Sequence, residues 1–193
     1  MGETPGGRRR PRDRVGPRSR PLVAVLAADF GRLRHRGAAG VVGHLRLAVV
    51  EPGYLAVVLL RVEGTLVDRG RLSAAKVVRH LTVGWTGADF VPGCRIGPGL
   101  RLLHPAGVVI GGRAVIGDNC TILQHVTVGE RSGDGSDVPD SPVVGDSVVL
   151  GAGCCVLGAV SIGTGAVIGA GAVVLTDVPA GRTAVGVPAR LVG

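Results

Sequence analysis

The sequence predicts an α+β protein in which an N-terminal helical segment precedes a parallel β-helix of hexapeptide repeats. Three observations predict this fold: aliphatic residues recur six positions apart, glycine is abundant and aromatic residues are scarce. The chain has 193 residues, of which 34 are Gly, and aromatic residues make up only 2%. A narrow prism lined by small aliphatic side chains has little room for rings, so the composition agrees with the repeat.

The six-residue spacing also predicts which side chains point into the β-helix. The spaced residues are Ile110, Ile116, Ile122, Val128, Val144, Leu150, Val156, Ile162, Ile168 and Val174. An α-helix has a period of 3.6 and a strand a period of two, whereas a strand plus a turn of six residues forms one side of a triangular coil. A small or β-branched residue stands two positions before each aliphatic residue except at Pro142. Cys120 and Cys154 occupy such positions, so we interpret them as packing residues.

The region before the repeats has helical periodicity. The segment "AAKVVRHL" places Ala74, Val77, Val78 and Leu81 on one apolar face of a helix. Further helices are predicted over 22–34, 38–50 and 54–68.

These patterns divide the chain into three parts. We expect a disordered basic tail (1–21), a helical region (22–88) and a β-helix domain (89–193). Residues 129–142 are rich in Gly, Ser, Asp and Pro, so they are predicted to form a loop that leaves the β-helix between coils.

The net charge of +8 does not indicate a nucleic-acid-binding protein. Residues 1–20 contain seven Arg against Glu3 and Asp13, so a net of +5 lies in the tail, and no aromatic RNA-binding signature accompanies it. The apolar run 21–30 lacks a signal-peptide cleavage site, and residues 54–62 are too few to span a membrane. We therefore expect a cytoplasmic protein without a nucleic-acid or membrane partner.

Three segments together resemble a known enzyme family. The stretch "LHPAGVVIGGRAVIGDNCTILQHVTVG" (103–129), the ending "GVPARLVG" (186–193) and the helical "GYLAVVLLR" (53–61) resemble the serine O-acetyltransferase family of left-handed β-helix acyltransferases. The resemblance implies a left-handed coil, although crossover connections are generally right-handed. It implies an acyltransferase that moves acetyl from acetyl-CoA to a hydroxyl in cysteine biosynthesis. It also implies a homotrimer, which in some members pairs into a dimer of trimers.

The resemblance assigns candidate catalytic residues. The family's catalytic His matches His104, and Asp89 stands fifteen residues upstream, at the place of its Asp partner. An imidazole has an ordinary pKa of about 6.5 and suits proton abstraction from a hydroxyl. A carboxylate on its second nitrogen would orient the ring and stabilise the imidazolium. His125 is a further candidate that would line the acceptor site from a neighbouring coil. No enzyme nucleophile is required, so direct transfer is favoured over an acetyl-cysteine intermediate.

Coenzyme A is expected along the coils near the C-terminus. The segments that match the family's coenzyme A-binding region are "GAG" at 151–153, "GAG" at 169–171 and "PAR" at 188–190. The candidate cofactor-binding residues are therefore Ala152, Gly153, Ala170, Gly171 and Arg190, together with Gly129 as a source of N–H groups for the oxyanion. Zinc catalysis would need three His ligands, but the β-helix has only His104 and His125, so no metal is expected.

Departures from the family's pattern leave the acceptor open. Asp140 and Ser141 stand where the family's loop has an Arg and a His, Leu103 replaces an Asp, and Ala38 or Ala39 replaces an acidic residue. In the family these positions contact the amino-acid acceptor. Two alternatives to serine acetylation follow: an O-acyltransferase for a sugar or specialised-metabolite hydroxyl, or a non-catalytic trimeric scaffold that has lost the acceptor site.

Overall fold

A computed structural model of the chain describes residues 20–33, 41–131 and 140–192. The helices in this part are α1 (Leu22–Gly31), α2 (Val41–Val50), α3 (Pro52–Asp68) and α4 (Leu72–Thr86). Parallel strands follow, so the predicted α+β class is confirmed. Several predictions fall outside the described residues: most of the basic tail, Ala38 and Ala39, and the middle of the loop at 132–139.

Short strands form three sheets, which are the faces of a triangular prism. The first face consists of β1 (Asp89–Phe90), β4 (Val109–Ile110), β7 (Thr127–Gly129), β10 (Cys155–Leu157) and β13 (Val173–Val174). The second consists of β2 (Arg95–Ile96), β5 (Val115–Ile116), β8 (Val143–Val144) and β11 (Ser161–Ile162). The third consists of β3 (Arg101–Leu102), β6 (Thr121–Ile122), β9 (Val149–Leu150), β12 (Val167–Ile168), β14 (Thr183–Val185) and β15 (Arg190–Val192). The chain visits the three faces in turn, and only the β14–β15 pair of these strands is antiparallel.

The prism interior confirms the predicted inward positions. The ten spaced aliphatic residues are at most 2% exposed, and the small residues two positions before them at most 6%. Cys120 and Cys154 are buried free thiols among them. Burial raises the pKa of Cys120 to about 11 and that of Cys154 to about 12, as expected of packing residues.

The strand register shows two places where a coil is longer than the regular one. Val109 pairs with Thr127, which is the regular interval of three hexapeptides. Asp89 pairs with Val109, two residues more, and the extra residues lie between β3 and β4, where His104 is found. Thr127 pairs with Cys155, which is also more than the regular interval. The additional residues of this coil lie between β7 and β8, in the predicted loop. Both insertions are therefore at corners, where they leave the stacked strands undisturbed.

A buried ion pair fixes the helices to the prism. Asp29 of α1 accepts hydrogen bonds from Arg61 of α3, at 2.8 Å from Nε and 3.0 Å from Nη2, and from the N–H of Leu100 at 2.9 Å. Arg61 also donates to the carbonyls of Ile96 and Gly97, at 2.6 and 2.7 Å. Asp29 is 1% exposed and Arg61 9%. The cluster joins α1, α3 and the first coil in one unit, so it also sets where α4 and β1 lie.

Helix α4 packs on α3 with a face other than the apolar one seen in the sequence. An apolar helix face usually turns to the core, but Val77 is 60% exposed and Leu81 40%. The buried face instead carries Ala75, Thr82 and Thr86. The Thr82 and Thr86 hydroxyls donate to carbonyls of their own helix, so these small side chains are satisfied while α3 approaches closely.

His44 differs from the other described helical histidine. His80 of α4 is exposed. His44, however, is half-buried: its ring contacts Phe30 with centroids 4.5 Å apart, and its Nδ1 is hydrogen-bonded to the Tyr54 hydroxyl. His35 lies outside the described residues. In the part of the chain that the structure covers, no helix has the length and apolar character needed to cross a membrane.

Candidate active site

One edge of the prism carries most of the candidate site residues. At this edge the chain passes from the third face to the first, and its corners stack through backbone hydrogen bonds. Gly107 N donates to Gly87 O (3.0 Å), His125 N to Ala106 O (2.9 Å), Gly153 N to Gln124 O (2.8 Å) and Gly171 N to Ala152 O (2.8 Å). We call this column, residues 86–88, 103–108, 123–126, 151–154 and 169–172, the His104 edge. It brings His104, His125, Ala152, Gly153, Ala170 and Gly171 onto one line.

His104 lies in the lengthened corner between β3 and β4. Its neighbours on either side differ: Leu103 is 37% exposed, whereas Pro105 is buried. The corner has two extra residues, and His104 within it is exposed. The imidazole is thus presented to solvent on a rigid scaffold.

Asp89 begins β1 on the coil next to His104, and its carboxylate is bound by Arg79 of α4. Arg79 Nε lies 2.5 Å from Oδ1 of Asp89, and Nη2 lies 2.7 Å from Oδ2. This hydrogen bonding to Asp89 raises the pKa of the Arg79 guanidinium above its usual value. No hydrogen bond joins Asp89 to His104 among the described residues, so that pairing stays a prediction. Each carboxylate oxygen has two lone pairs, and the bidentate contact leaves acceptor capacity for an imidazole N–H.

His125 occupies a left-handed backbone position that the other coils of this edge give to glycine. Its φ is 56°, against 75° at Gly87, 69° at Gly107, 69° at Gly153 and 67° at Gly171. A non-glycine residue there costs about 1–2 kcal/mol. A Cβ added to Gly107 would lie 2.2 Å from Nδ1 of His125, so the imidazole covers Gly107. The structure thereby places a second imidazole against the turn that carries His104.

Gly107→Ala should destabilise the protein more than the same change at a corner on another edge. Gly165 has φ 71° and no atom within 4 Å of an added Cβ, so Gly165→Ala carries only the left-handed strain. We expect a loss of about 1–2 kcal/mol for Gly165→Ala and at least about 1 kcal/mol more for Gly107→Ala, because the His125 ring must move. Urea unfolding of both variants measures the difference. Equal losses would show that the His125 ring does not lie on Gly107.

The candidate coenzyme A residues lie on the open part of the same edge. A Cβ added to Gly153 or Gly171 would meet no atom within 4 Å, in contrast to the covered Gly107. Arg190 follows Ala189 in the chain. The Ala189 N–H donates to the carbonyl of Val173, which lies one coil beyond Gly153. Arg190 is exposed, and its Nη1 donates to the Ala189 carbonyl at 3.0 Å, so the cationic group lies near the C-terminal end of the edge.

Gly129 and the loop lie at a different edge. Gly129 ends β7, where the chain leaves the first face, and its carbonyl accepts a hydrogen bond from Gly158 N. Asp140 fastens the base of the loop by accepting from Ala159 N at 2.9 Å and from Arg131 N at 3.2 Å. Ser141 is 2% exposed. Within one protomer the structure therefore does not bring Gly129 to His104.

Comparisons with known proteins agree with this architecture. Residues 141–176 match the family model "Bacterial transferase hexapeptide (six repeats)". The serine acetyltransferase of Synechococcus elongatus is 40% identical to this chain over 174 residues, which cover 89% of this chain and 69% of that protein. The chain belongs to the serine acetyltransferase family.

Solved structures of serine acetyltransferases have the same fold. The soybean apoenzyme superposes with a TM-score of 0.80 at 39% identity, covering 90% of this chain and 70% of that one. The Brucella abortus enzyme in complex with coenzyme A gives 0.78 at 33% identity, covering 89% and 67%. The predicted left-handed β-helix is thus confirmed.

Plant serine acetyltransferases are longer than the matched region. Chloroplastic serine acetyltransferase 1 of Arabidopsis thaliana is 46% identical over 144 residues, which cover 73% of this chain and 44% of that protein. The chain spans about half the length of the plant relatives it matches.

Arg79 and Glu63 were missed by the sequence reasoning. Arg79 lies on the half-buried side of α4, and Glu63 of α3 is 2% exposed. Their only sequence signal was a charge inside an otherwise apolar helical pattern, which is also typical of a solvated helix face. By contrast, the lengthened corner at His104 is visible in the sequence, because Ile110 follows Leu102 by eight positions instead of six.

Proposed function

We propose that this protein is an acetyl-CoA-dependent O-acetyltransferase, similar to serine O-acetyltransferase, in which His104 assists direct transfer of acetyl to a hydroxyl. The observation that carries the proposal is the His104 edge, which holds the exposed imidazoles of His104 and His125 and the open Gly153 and Gly171 corners in a single column. Two relatives support the substrates, since the Brucella abortus enzyme was solved with coenzyme A and the soybean enzyme with serine.

Coenzyme A is proposed to lie along this edge, with its thioester at His104. Successive coils are about 4.8 Å apart, so the Gly171 corner, three coils from the His104 corner, is about 14 Å away. An extended pantetheine arm reaches over such a distance. Ala152 and Ala170 precede the two glycines and keep the corners small, and Arg190 offers a cation to the phosphates.

Gly171→Leu should therefore obstruct coenzyme A. We expect the KM for acetyl-CoA to rise at least about tenfold, because a leucine side chain would project into the open corner where the arm lies. Gly165→Leu is the matched control, since Gly165 has the same backbone conformation and the same open surroundings on another edge. Initial rates of thiol release against acetyl-CoA concentration measure both. Equal changes in KM would contradict the proposed path.

The proposed reaction needs one proton acceptor. His104 removes the hydroxyl proton while the acceptor oxygen attacks the thioester carbonyl; the oxygen–carbon bond forms and the carbon–sulfur bond breaks. The imidazolium then gives its proton to the departing thiolate, so the products are the acetyl ester and coenzyme A. Asp89 is the positioning residue that stabilises the imidazolium.

We propose a homotrimer, which pairs into a dimer of trimers through the helical region. Support comes from the two edges that flank the first face: His104 lies where the chain enters this face, and Gly129 with the loop lies where it leaves. In a threefold arrangement of prisms, the loop edge of one protomer can meet the His104 edge of the next. Gly129 and the loop would then complete the site of a neighbour, with the Gly129 N–H facing the oxyanion, while His125 would line the acceptor side.

Serine is the first candidate acceptor, and a sugar or specialised-metabolite hydroxyl is the second. Relatives named serine acetyltransferases favour serine. The second candidate is favoured by the residues at the acceptor positions: Leu103 is apolar and exposed, Asp140 caps backbone N–H groups and Ser141 is buried. None of these side chains offers a positive charge to an amino-acid carboxylate.

An acceptor panel separates these functions and the scaffold alternative. Thiol release from acetyl-CoA would be followed with L-serine, L-homoserine and sugars, next to calorimetric binding of coenzyme A. Serine-dependent release supports the first function, and release only with sugars or other alcohols supports the second. If the protein neither turns over acetyl-CoA with any acceptor nor binds coenzyme A, the result supports the trimeric scaffold.

The proposed compartment is the cytoplasm. The four cysteines, which all lie in the described residues, are free thiols, as expected in a reducing environment. With serine as acceptor, the product would enter cysteine biosynthesis.

A further inference from the structure

A buried carboxyl group lies behind the proposed site. Glu63 of α3 is 2% exposed, and no group in residues 20–33, 41–131 or 140–192 hydrogen-bonds its Oε2. Burial raises the pKa of Glu63 to about 7; the positive charge of Arg79 lowers it and the negative charge of Asp89 adds to the rise. The same Arg79 holds both oxygens of Asp89. The charge of one guanidinium therefore acts on two carboxyl groups, of which only Asp89 is hydrogen-bonded to it.

The other ionisable groups around α3 either have a hydrogen-bonding partner of their own or do not affect the pKa of Glu63. On the elements packed against α3 and on β1, the charged or titratable side chains that are not exposed are Asp29, His44, Arg79, Asp89 and Arg101. Asp29 is paired with Arg61 and His44 with Tyr54. Within the described part of the chain, Arg79 and Asp89 are the groups whose charges act on Glu63. Cys94, directly before β2, has its pKa raised to about 12 by burial, and the negative charge of Glu63 is the next largest cause of the rise.

The geometry points to Glu63 as a positioning residue for the proposed reaction: through the guanidinium it shares with Asp89, it sets how much negative charge Asp89 presents to His104. This rests on the proposed function, in which Asp89 stabilises the His104 imidazolium. When Glu63 is neutral, the charges of Arg79 and Asp89 cancel. When Glu63 is ionised, the three groups carry a net negative charge, which favours the imidazolium formed in the transition state.

Glu63→Gln tests this dependence, because Gln has the same shape without the charge. The measured quantity is the ratio of wild-type to Glu63→Gln kcat/KM at pH values from 5.5 to 8.5. The ratio should be near one at pH 5.5, where Glu63 is protonated, and rise to about threefold to tenfold at pH 8.5. Asp68→Asn is the matched control: it removes the same charge from an exposed position on the same helix and should leave the ratio near one throughout. A merely structural role of Glu63 would give a ratio that does not change with pH, and that result would overturn the inference.

Thermal unfolding supplies a readout that does not require turnover. A carboxyl group whose pKa is raised in the folded state destabilises the fold progressively as the pH rises from its usual value to the raised one. Glu63→Gln should therefore melt about 5 °C above wild type at pH 8 and close to wild type at pH 4.5. Glu63→Met, a similarly long side chain without charge, should show the same trend if the Gln variant folds poorly.

A double mutant tests whether Glu63 acts through Arg79. Without the guanidinium, an ionised Glu63 has lost the favourable interaction with the Arg79 charge. The stabilisation by Glu63→Gln at pH 8 should therefore be larger in an Arg79→Gln background than in wild type. Equal stabilisation in both backgrounds would overturn the shared-guanidinium inference even if the chain has no acetyltransferase activity. A different result would separate the two proposals. If the wild type shows no acceptor-dependent turnover but Glu63→Gln stabilises the Arg79→Gln background more than the wild type, the proposed function is refuted and the coupling of Glu63 to Arg79 stands.

Discussion

Replacing His104 by Ala should lower kcat for acetyl transfer by about 10²–10⁴-fold. The reason is that a hydroxyl is a poor nucleophile until a base takes its proton, and no other described imidazole than His125 lies on the His104 edge. The affinity for coenzyme A should stay within about threefold of wild type, because the open corners at Gly153 and Gly171 are two and three coils away. Steady-state thiol release and calorimetric binding of coenzyme A measure the two quantities separately.

His80→Ala is the matched control for this experiment. His80 is exposed on α4, where its Nδ1 is hydrogen-bonded to the carbonyl of Lys76 in its own helix. We expect this variant to keep wild-type turnover. Turnover retained in His104→Ala and lost in His125→Ala would reassign the base to His125.

The second large effect concerns stability. Asp29→Ala should lower the free energy of unfolding by about 3–5 kcal/mol, because it leaves the Arg61 guanidinium buried without its counter-charge and removes the acceptor of Leu100 N–H. Denaturant unfolding measures this loss. Since the same cluster joins α1 and α3 to the first coil, partial loss of near-ultraviolet circular dichroism below the main transition is also expected.

An exposed ion pair provides the comparison. Arg20 lies 3.5 Å from Asp118, with side-chain exposures of 46% and 40%. Arg20→Ala should cost less than about 1 kcal/mol, because water screens exposed charges. If Arg20→Ala and Asp29→Ala lowered the free energy of unfolding by similar amounts, burial would not determine how much the Asp29–Arg61 pair contributes to stability.

The repeat region could be predicted residue by residue because its geometry is periodic. Each hexapeptide is one side of a triangular coil, so the spacing of Ile110, Ile116 and Ile122 determines which side chains point inward. The same periodicity placed Cys120 and Cys154 in the interior. It also aligned Gly153 with Gly171, three hexapeptides apart, on one edge.

The helical region could be predicted only in outline. Helix α3 was expected over 54–68 and is found at Pro52–Asp68, whereas the pattern in α4 showed an apolar face but not which face packs on α3. Hydrophobicity alone favoured Val77 and Leu81 for the buried face, whereas close packing on α3 selected Ala75 and Thr82. Which helix face meets another element depends on tertiary fit, which a local pattern does not contain.

The charged groups behind the site were the least predictable part. The fifteen-residue interval between Asp89 and His104 came from the family resemblance, not from the repeat. The contact of Arg79 with Asp89 depends on how α4 is oriented on β1, and the burial of Glu63 depends on how α3 packs on α4. Both are long-range consequences of packing that no spacing rule encodes.

Acetyl-CoA labelled in its acetyl group provides the most direct test of His104-assisted transfer to a hydroxyl. Wild type and His104→Ala would be incubated with L-serine and with sugars, and the label would be located by mass spectrometry of the acceptor and of the intact protein. The expected result is label on an acceptor hydroxyl with wild type, at least about a hundredfold less with His104→Ala, and none on the protein. Label bound to the protein, or acceptor labelling that survives in His104→Ala, would contradict direct transfer assisted by His104.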